Sequence, residues 1–305
     1  MQLDVDLSTL RDMTGREPVQ LAIDGSSFVP VLADLAADDK VTGTILVDYQ
    51  DHVMADLHRY GALVYVARWQ QTRDRDPFPD FARTEAWLTR FVHHHLRSFA
   101  DGASPLDSLV LRALSDEVTP QYLVTLPTRE RMADYTLVHM PDFYFERVMR
   151  NAGISEVRRT QDVRIFGAQL TRQIQALAPV SMPDFATNSQ VIAAMVRRIE
   201  ARGGHVAFIM LPRSGLVRTA DERLFPREDY WRPFINAVQA PSLHYADVPS
   251  MKALVCPDGS HLDRRARVAF TRDLVHAMPL LSGGAAGNGR RSPRAMPPSP
   301  SEHGS

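Results

Sequence analysis

The sequence predicts an α/β fold with a mainly parallel sheet, and three observations predict it. Val19 to Asp24 (VQLAID) is an apolar run that stops at Gly25-Ser26-Ser27. Thr44 to Asp48 (TILVD) is a second run behind Gly43, with a Pro30-led helical segment between the two. His205 to Leu211 (HVAFIML), the most apolar run in the chain, repeats the rhythm in the last third. Strand, tight turn, helix, strand is a βαβ unit, whose right-handed crossover makes its strands parallel.

The elements follow in order. VQLAID reads as a buried strand because it is apolar throughout and ends in small turn residues. In PVLADLAADD, Val31, Leu32, Leu35 and Ala36 recur at helical spacing, with Pro30 tolerated in the first turn. TILVD is the next strand. From about Arg75 to Pro183 the pattern is mostly helical, clearest in PDFARTEAWLTRFVHHHLRSFA and MPDFYFERVMRNAG, with room for a further strand at Tyr122–Leu126 or Tyr135–Val138. This stretch is expected to be a helical insertion. Gln190 to Arg202 is an amphipathic helix stopped by Gly203-Gly204. HVAFIML is then a central strand closed by Pro212, and Leu243 to Ala246 (LHYA) is a shorter one. A final helix spans about Asp263 to Met278, with Ala266, Phe270 and Leu274 at four-residue steps. Residues 1–282 are thus expected to form one domain. The last stretch, from Gly283, is rich in Gly and Pro and nearly free of large apolar residues, so disorder is expected there.

Composition narrows the function classes. The chain has 305 residues, 35 basic and 36 acidic, for a net charge of -1. The tail carries Arg290, Arg291, Arg294 and Glu302, which leaves the body without the basic excess that would attract nucleic acid. A single cysteine, Cys256, excludes an intramolecular disulfide framework and a multi-thiolate zinc site. No apolar run is long enough to predict a transmembrane segment. The start, MQLDVDLSTLRDM, has no signal-peptide pattern, so the chain as written is expected in the cytoplasm, and outside it if the N-terminus is truncated. Phosphate-binding glycine loops are absent, so no cofactor is expected. No metal is expected either. His93, His94 and His95 would point about 100° apart on a helix and cannot converge, and His52 and His58 fit no zinc spacing. Composition says nothing about oligomeric state.

Chemistry is expected at the carboxyl ends of the strands, where open α/β sheets bind ligands. Gly25-Ser26-Ser27 falls there, just before a helix whose N-terminal amides favour an oxyanion. The alternative reading of these serines is a helix cap. A nucleophilic serine needs a base, and the base needs an orienting acid. The Asp-x-x-His spacing occurs twice, at Asp258…His261 and Asp273…His276. The second pair lies within the final helix and reads as a surface pair. The first lies in PDGSHLD, a loop after the last strand, and so belongs to the same rim as Ser27. Its alternative reading is a helix-start histidine with Asp258 or Asp263 as cap. Arg213 and Arg218 could meet an anionic substrate or be plain solvated arginines. Tyr230 and Trp231 could stack on a sugar or simply pack.

The block DGSSF ending the first strand, with DGSHL before the last helix, resembles the SGNH/GDSL-type hydrolases. The run from HVAFIMLP to DGSHL is also similar to the last strands of bacterial envelope-polysaccharide esterase or acyltransferase relatives. The resemblance implies a three-layer α/β/α (flavodoxin-like) sheet. It also implies Ser27 as nucleophile, Ser26 replacing the usual aspartate, Asp258 as orienter and His261 as general base. The family's glycine block after the second strand is missing from TILVDYQDH, and its Gly-x-Asn block is absent as written. Asn188, in ATNSQ, is the best stand-in for the oxyanion asparagine, its alternative being a helix cap. The function implied is a serine esterase or O-acyltransferase acting on an acylated saccharide or small ester. The two missing blocks motivate the competing expectation: an inactive SGNH-like module that binds a glycan or a protein partner.

Overall fold

The computed structural model describes residues 1–23, 25–58, 61–73, 122–126, 129–155 and 162–282. The fold is mixed α/β. In chain order the strands are β1 (Thr44–Asp48), β2 (Leu123–Thr125), β3 (Arg131–Ala133), β4 (His205–Met210) and β5 (Ser242–His244). Strands β1, β4 and β5 form a parallel sheet with β4 in the centre. Thr44 pairs with His205 and Asp48 with Ile209, while Phe208 pairs with Ser242 on the other side. Strands β2 and β3 form a separate antiparallel hairpin. Every residue of β4 from Val206 to Met210 is buried, as expected of a parallel strand covered on both faces.

The helices are α1 (Leu7–Thr14), α2 (Val29–Ala37), α3 (Ala62–Arg73), α4 (Asp142–Ala152), α5 (Val163–Gln175) and α6 (Phe185–Glu200). After β4 come α7 (Gly215–Leu224), α8 (Trp231–Val238), α9 (Pro249–Lys252), α10 (Arg267–Ala277) and α11 (Pro279–Ser282). Helix α6 buries Phe185, Ser189, Ile192, Ala193, Val196 and Ile199, a stripe at helical spacing that packs on β4, α2 and α8. The ring of Phe208 meets Phe28 at 6.3 Å and Phe234 at 5.0 Å, which fixes α2 and α8 over the same side of β4. A main core gathers around the sheet, while a smaller one joins α4, α5 and α7 through Val148, Phe166, Leu170, Ile174 and Val217.

Several expected elements differ. Helix α6 begins at Phe185, five residues before the periodic run, and the helix expected from about Asp263 is α10, which begins at Arg267. Of the two candidate strands in the middle, the first contains β2, whereas Tyr135–Leu137 is a 3-10 turn and β3 precedes it. The main correction concerns VQLAID. Residues 19–23 form no strand: Val19 is 75% exposed, and among the described residues β1 is left as an outer strand of the sheet. Side chains take over the backbone there. The Gln20 side chain accepts from the Ala22 amide at 3.0 Å, and Gln2 donates to the Ala22 carbonyl at 2.8 Å, which competes with ladder pairing. The expected helix PDFARTEAWLTRFVHHHLRSFA, with His93, His94 and His95, and the tail from Gly283 lie outside the described residues.

Candidate active site

The loop Cys256–His261 is strapped to the chain leaving β4. The Ser214 hydroxyl donates to the Cys256 carbonyl at 2.9 Å and accepts from its amide at 3.0 Å. The Ser214 amide donates to Gly259 O at 3.0 Å, and Arg213 donates to Ser260 O at 3.0 Å. The loop therefore sits at the carboxyl edge of the sheet. Gly259 has φ +85°, and a Cβ there would fall 2.2 Å from Val217 Cγ2 on α7, so only glycine lets the turn approach that helix.

Within the loop, Asp258 is 1% exposed. Its Oδ1 accepts from the Ser260 amide at 2.9 Å and the His261 amide at 2.7 Å, and its Oδ2 meets His261 Nδ1 at 2.9 Å. Burial opposes the charge, but the bonds from the His261 ring and the two amides hold the carboxyl well below its usual range. The Asp258 carboxylate also acts on the Tyr135 phenol: burial, and then that carboxylate, push its proton affinity far up, so it stays neutral. A carboxylate at Nδ1 selects the tautomer with Nδ1–H as donor and Nε2 unprotonated. The His261 side chain is 34% exposed, and among the described residues Nε2 has no hydrogen-bond partner.

The other candidates reach the same edge by element direction. Helix α2 runs antiparallel to β4: the Arg202 guanidinium, just before the start of β4, bonds Leu35 O at 2.5 Å and Ala36 O at 3.1 Å at the far end of α2. Its N-terminus, with Ser26 and Ser27, therefore lies towards the carboxyl ends of the strands. Ser27 is 3% exposed and its hydroxyl accepts from the Val29 amide at 3.1 Å, while the N-cap position of α2 is Phe28 and no side chain caps that helix. The Ser26 hydroxyl is enclosed without a hydrogen-bond partner among the described residues. No hydrogen bond joins either serine to His261. Asn188 lies inside the first turn of α6 rather than capping it, and donates from Nδ2 to Met54 O at 2.8 Å. Met54 belongs to the 3-10 turn Asp51–Ala55 that follows β1, so Asn188 shares the rim, with one amide proton spent.

Buried charge surrounds the loop. Burial opposes the charge on Arg213, but Asp221 at 3.2 Å, then Asp48 and Asp4, keep it firmly protonated. Burial pushes Asp51 up to about 7, with Asp221 adding to that while Tyr49 and Arg213 oppose it. Burial pushes the Cys256 thiol up as well, so it is no thiolate. Among the described residues no cluster of three His, Cys, Asp or Glu side chains could hold a metal, and no helix is long and apolar enough to cross a membrane. Tyr230 and Trp231 are buried packing residues.

Local spacing gave Asp258 with His261. It gave no sign of Tyr135, which is far away in sequence, and it left Arg213 between a substrate contact and a solvated charge, whereas the guanidinium is mostly buried and bonded to the loop and to Asp221. The position of Arg213, directly after the most apolar strand and Pro212, was the available signal. The chain matches no family model, and neither curated proteins nor solved structures give a match.

Proposed function

We propose that the chain is a serine esterase or O-acyltransferase of the SGNH/GDSL type, acting on an acylated saccharide or small ester. The observation that carries this reading is the imidazole of His261. Its Nδ1 is held by a buried carboxylate, and its Nε2 is open on the rim where a serine-bearing turn opens α2. The resemblance of DGSSF and DGSHL to that family supports it. The architecture that goes with it is a three-layer α/β/α sandwich, one outer layer being α2, α6 and α8.

In the reaction, His261 Nε2 takes the proton of Ser27 as Oγ attacks the ester carbonyl. The bond that Ser27 makes to the Val29 amide is an accepting one, so the hydroxyl still has its own proton to give. Asp258 stabilises the imidazolium, which then protonates the departing alcohol. Water or a sugar hydroxyl, deprotonated by the same histidine, releases the acyl group. The remaining proton of Asn188 and the amide of Ser27 are the donors for the oxyanion, because the Val29 amide is bonded to Ser27 Oγ and Pro30 has no N–H.

Hydrolysis of p-nitrophenyl acetate and of an acetylated oligosaccharide tests the reading. Wild type should turn over at least one, with kcat falling by up to about 10⁶-fold in Ser27→Ala and His261→Ala. Turnover that survives both substitutions sinks it. The second reading, an inactive module binding an acylated glycan or a partner, is favoured by two observations: no bond joins His261 to Ser26 or Ser27, and Asn188 is tied to Met54. Saturable binding of the oligosaccharide without turnover would select it.

A further inference from the structure

We infer that Arg213 is a positioning residue for His261, an inference that rests on the acyl-transfer reading above. Its guanidinium is the hub between the strand and the loop. One arm, Nη1, donates to Ser260 O at 3.0 Å and to Pro212 O at 3.3 Å, while Nε donates to Asp221 Oδ2 on α7 at 3.2 Å. Ser260 is the residue between Gly259 and His261, so its carbonyl belongs to the peptide that leads into the histidine. Fixing that peptide fixes the direction in which the imidazole leaves the backbone, and Asp258 then fixes its rotation. Asp221 in turn holds the guanidinium from the opposite side, on a helix anchored by the smaller core. A planar, forked cation suits this task, because it can bind a carboxylate and two carbonyls in set directions while a lysine ammonium offers a single point. Misplacing a general base by about 1 Å costs roughly 10²-fold in rate.

The test compares wild type with Arg213→Lys and Asp221→Asn on p-nitrophenyl acetate, together with histidine-labelled NMR spectra. The His261 signals are assigned by their loss in His261→Gln. Arg213→Lys keeps the buried charge, and Asp221→Asn keeps the guanidinium but loosens its anchor, so a folding failure in one leaves the other to decide. Both should lower kcat about 10–100-fold with KM changed less than about threefold, and both should shift the His261 ring resonances. Folded variants with unchanged kcat and unchanged His261 resonances overturn the inference. An inactive wild type defeats the acyl-transfer reading instead. In that case the resonances alone decide whether Arg213 orients the ring, and unshifted signals defeat that too.

Discussion

Two residues of the site have consequences that a stability measurement reads directly. Gly259 takes a left-handed φ and touches Val217 where its Cβ would be. Alanine there meets both backbone strain and a clash in a buried side chain, so Gly259→Ala should lose about 2–4 kcal/mol in urea unfolding. Adding Val217→Ala should not restore the wild-type midpoint, because the backbone strain remains; a double variant as stable as wild type would show that φ carries no cost. Asp51 acts through pH. Its folded proton affinity, pushed up to about 7 by burial, exceeds the carboxyl value of 3.8, so the folded chain holds a proton that the unfolded chain releases. Stability therefore falls as pH rises from about 4 to 7. Asp51→Asn should remove that slope and be the more stable protein at pH 8, by at most ~4 kcal/mol, since a tenfold change in proton affinity is worth about 1.4 kcal/mol. Parallel stability curves for the two proteins across that range would refute this.

At the scale of elements, the legible parts were those whose environment is uniform along the chain. TILVD and HVAFIM are parallel strands that read as continuous apolar runs, and β4 does so most clearly because both of its faces are covered. Residues 19–23 are as apolar but have no strand partner among the described residues, and composition cannot show whether a place in the sheet is taken. Strands β2 and β3 are three residues each, too short to show a period of two. Buried charge is illegible for a related reason: its partners are distant in sequence. Arg267, at the start of α10, is 1% exposed; it donates to Val5 O and Arg131 O, both at 2.9 Å, and pairs with Glu130. It thus ties α10 to the N-terminal segment and the β2–β3 hairpin, through partners that have no local signature in the sequence. Arg267→Met takes the cation away from Glu130, which keeps its bond from the Leu7 amide, and should cost about 3–5 kcal/mol by denaturant unfolding, part of which Glu130→Gln in the same chain should recover. A single substitution that costs under about 1 kcal/mol would mean that the ion pair is no tie.

For the molecule as a whole, the candidate site was half legible. Asp258 and His261 lie three apart and bond directly, so their sequence spacing is their geometry. Ser27 was placed by its position before a helix, and the direction of α2 puts that position on the same side of the sheet. Asn188 reaches the rim as well, but its hydrogen bond to Met54, 134 residues away, has no local signature. What unites the parts is the parallel sheet, because in it every strand delivers its carboxyl end, and the loop after it, to one edge. The central claim is that this edge activates a serine. The measurement that tests it most directly is labelling with a fluorophosphonate, the adduct being located by peptide mass. The account predicts an adduct on Ser27 that is lost in Ser27→Ala and His261→Ala and kept in Ser26→Ala. Folded wild type that takes no label anywhere between about pH 6 and 9, where a histidine base is neutral over most of the range, would contradict it.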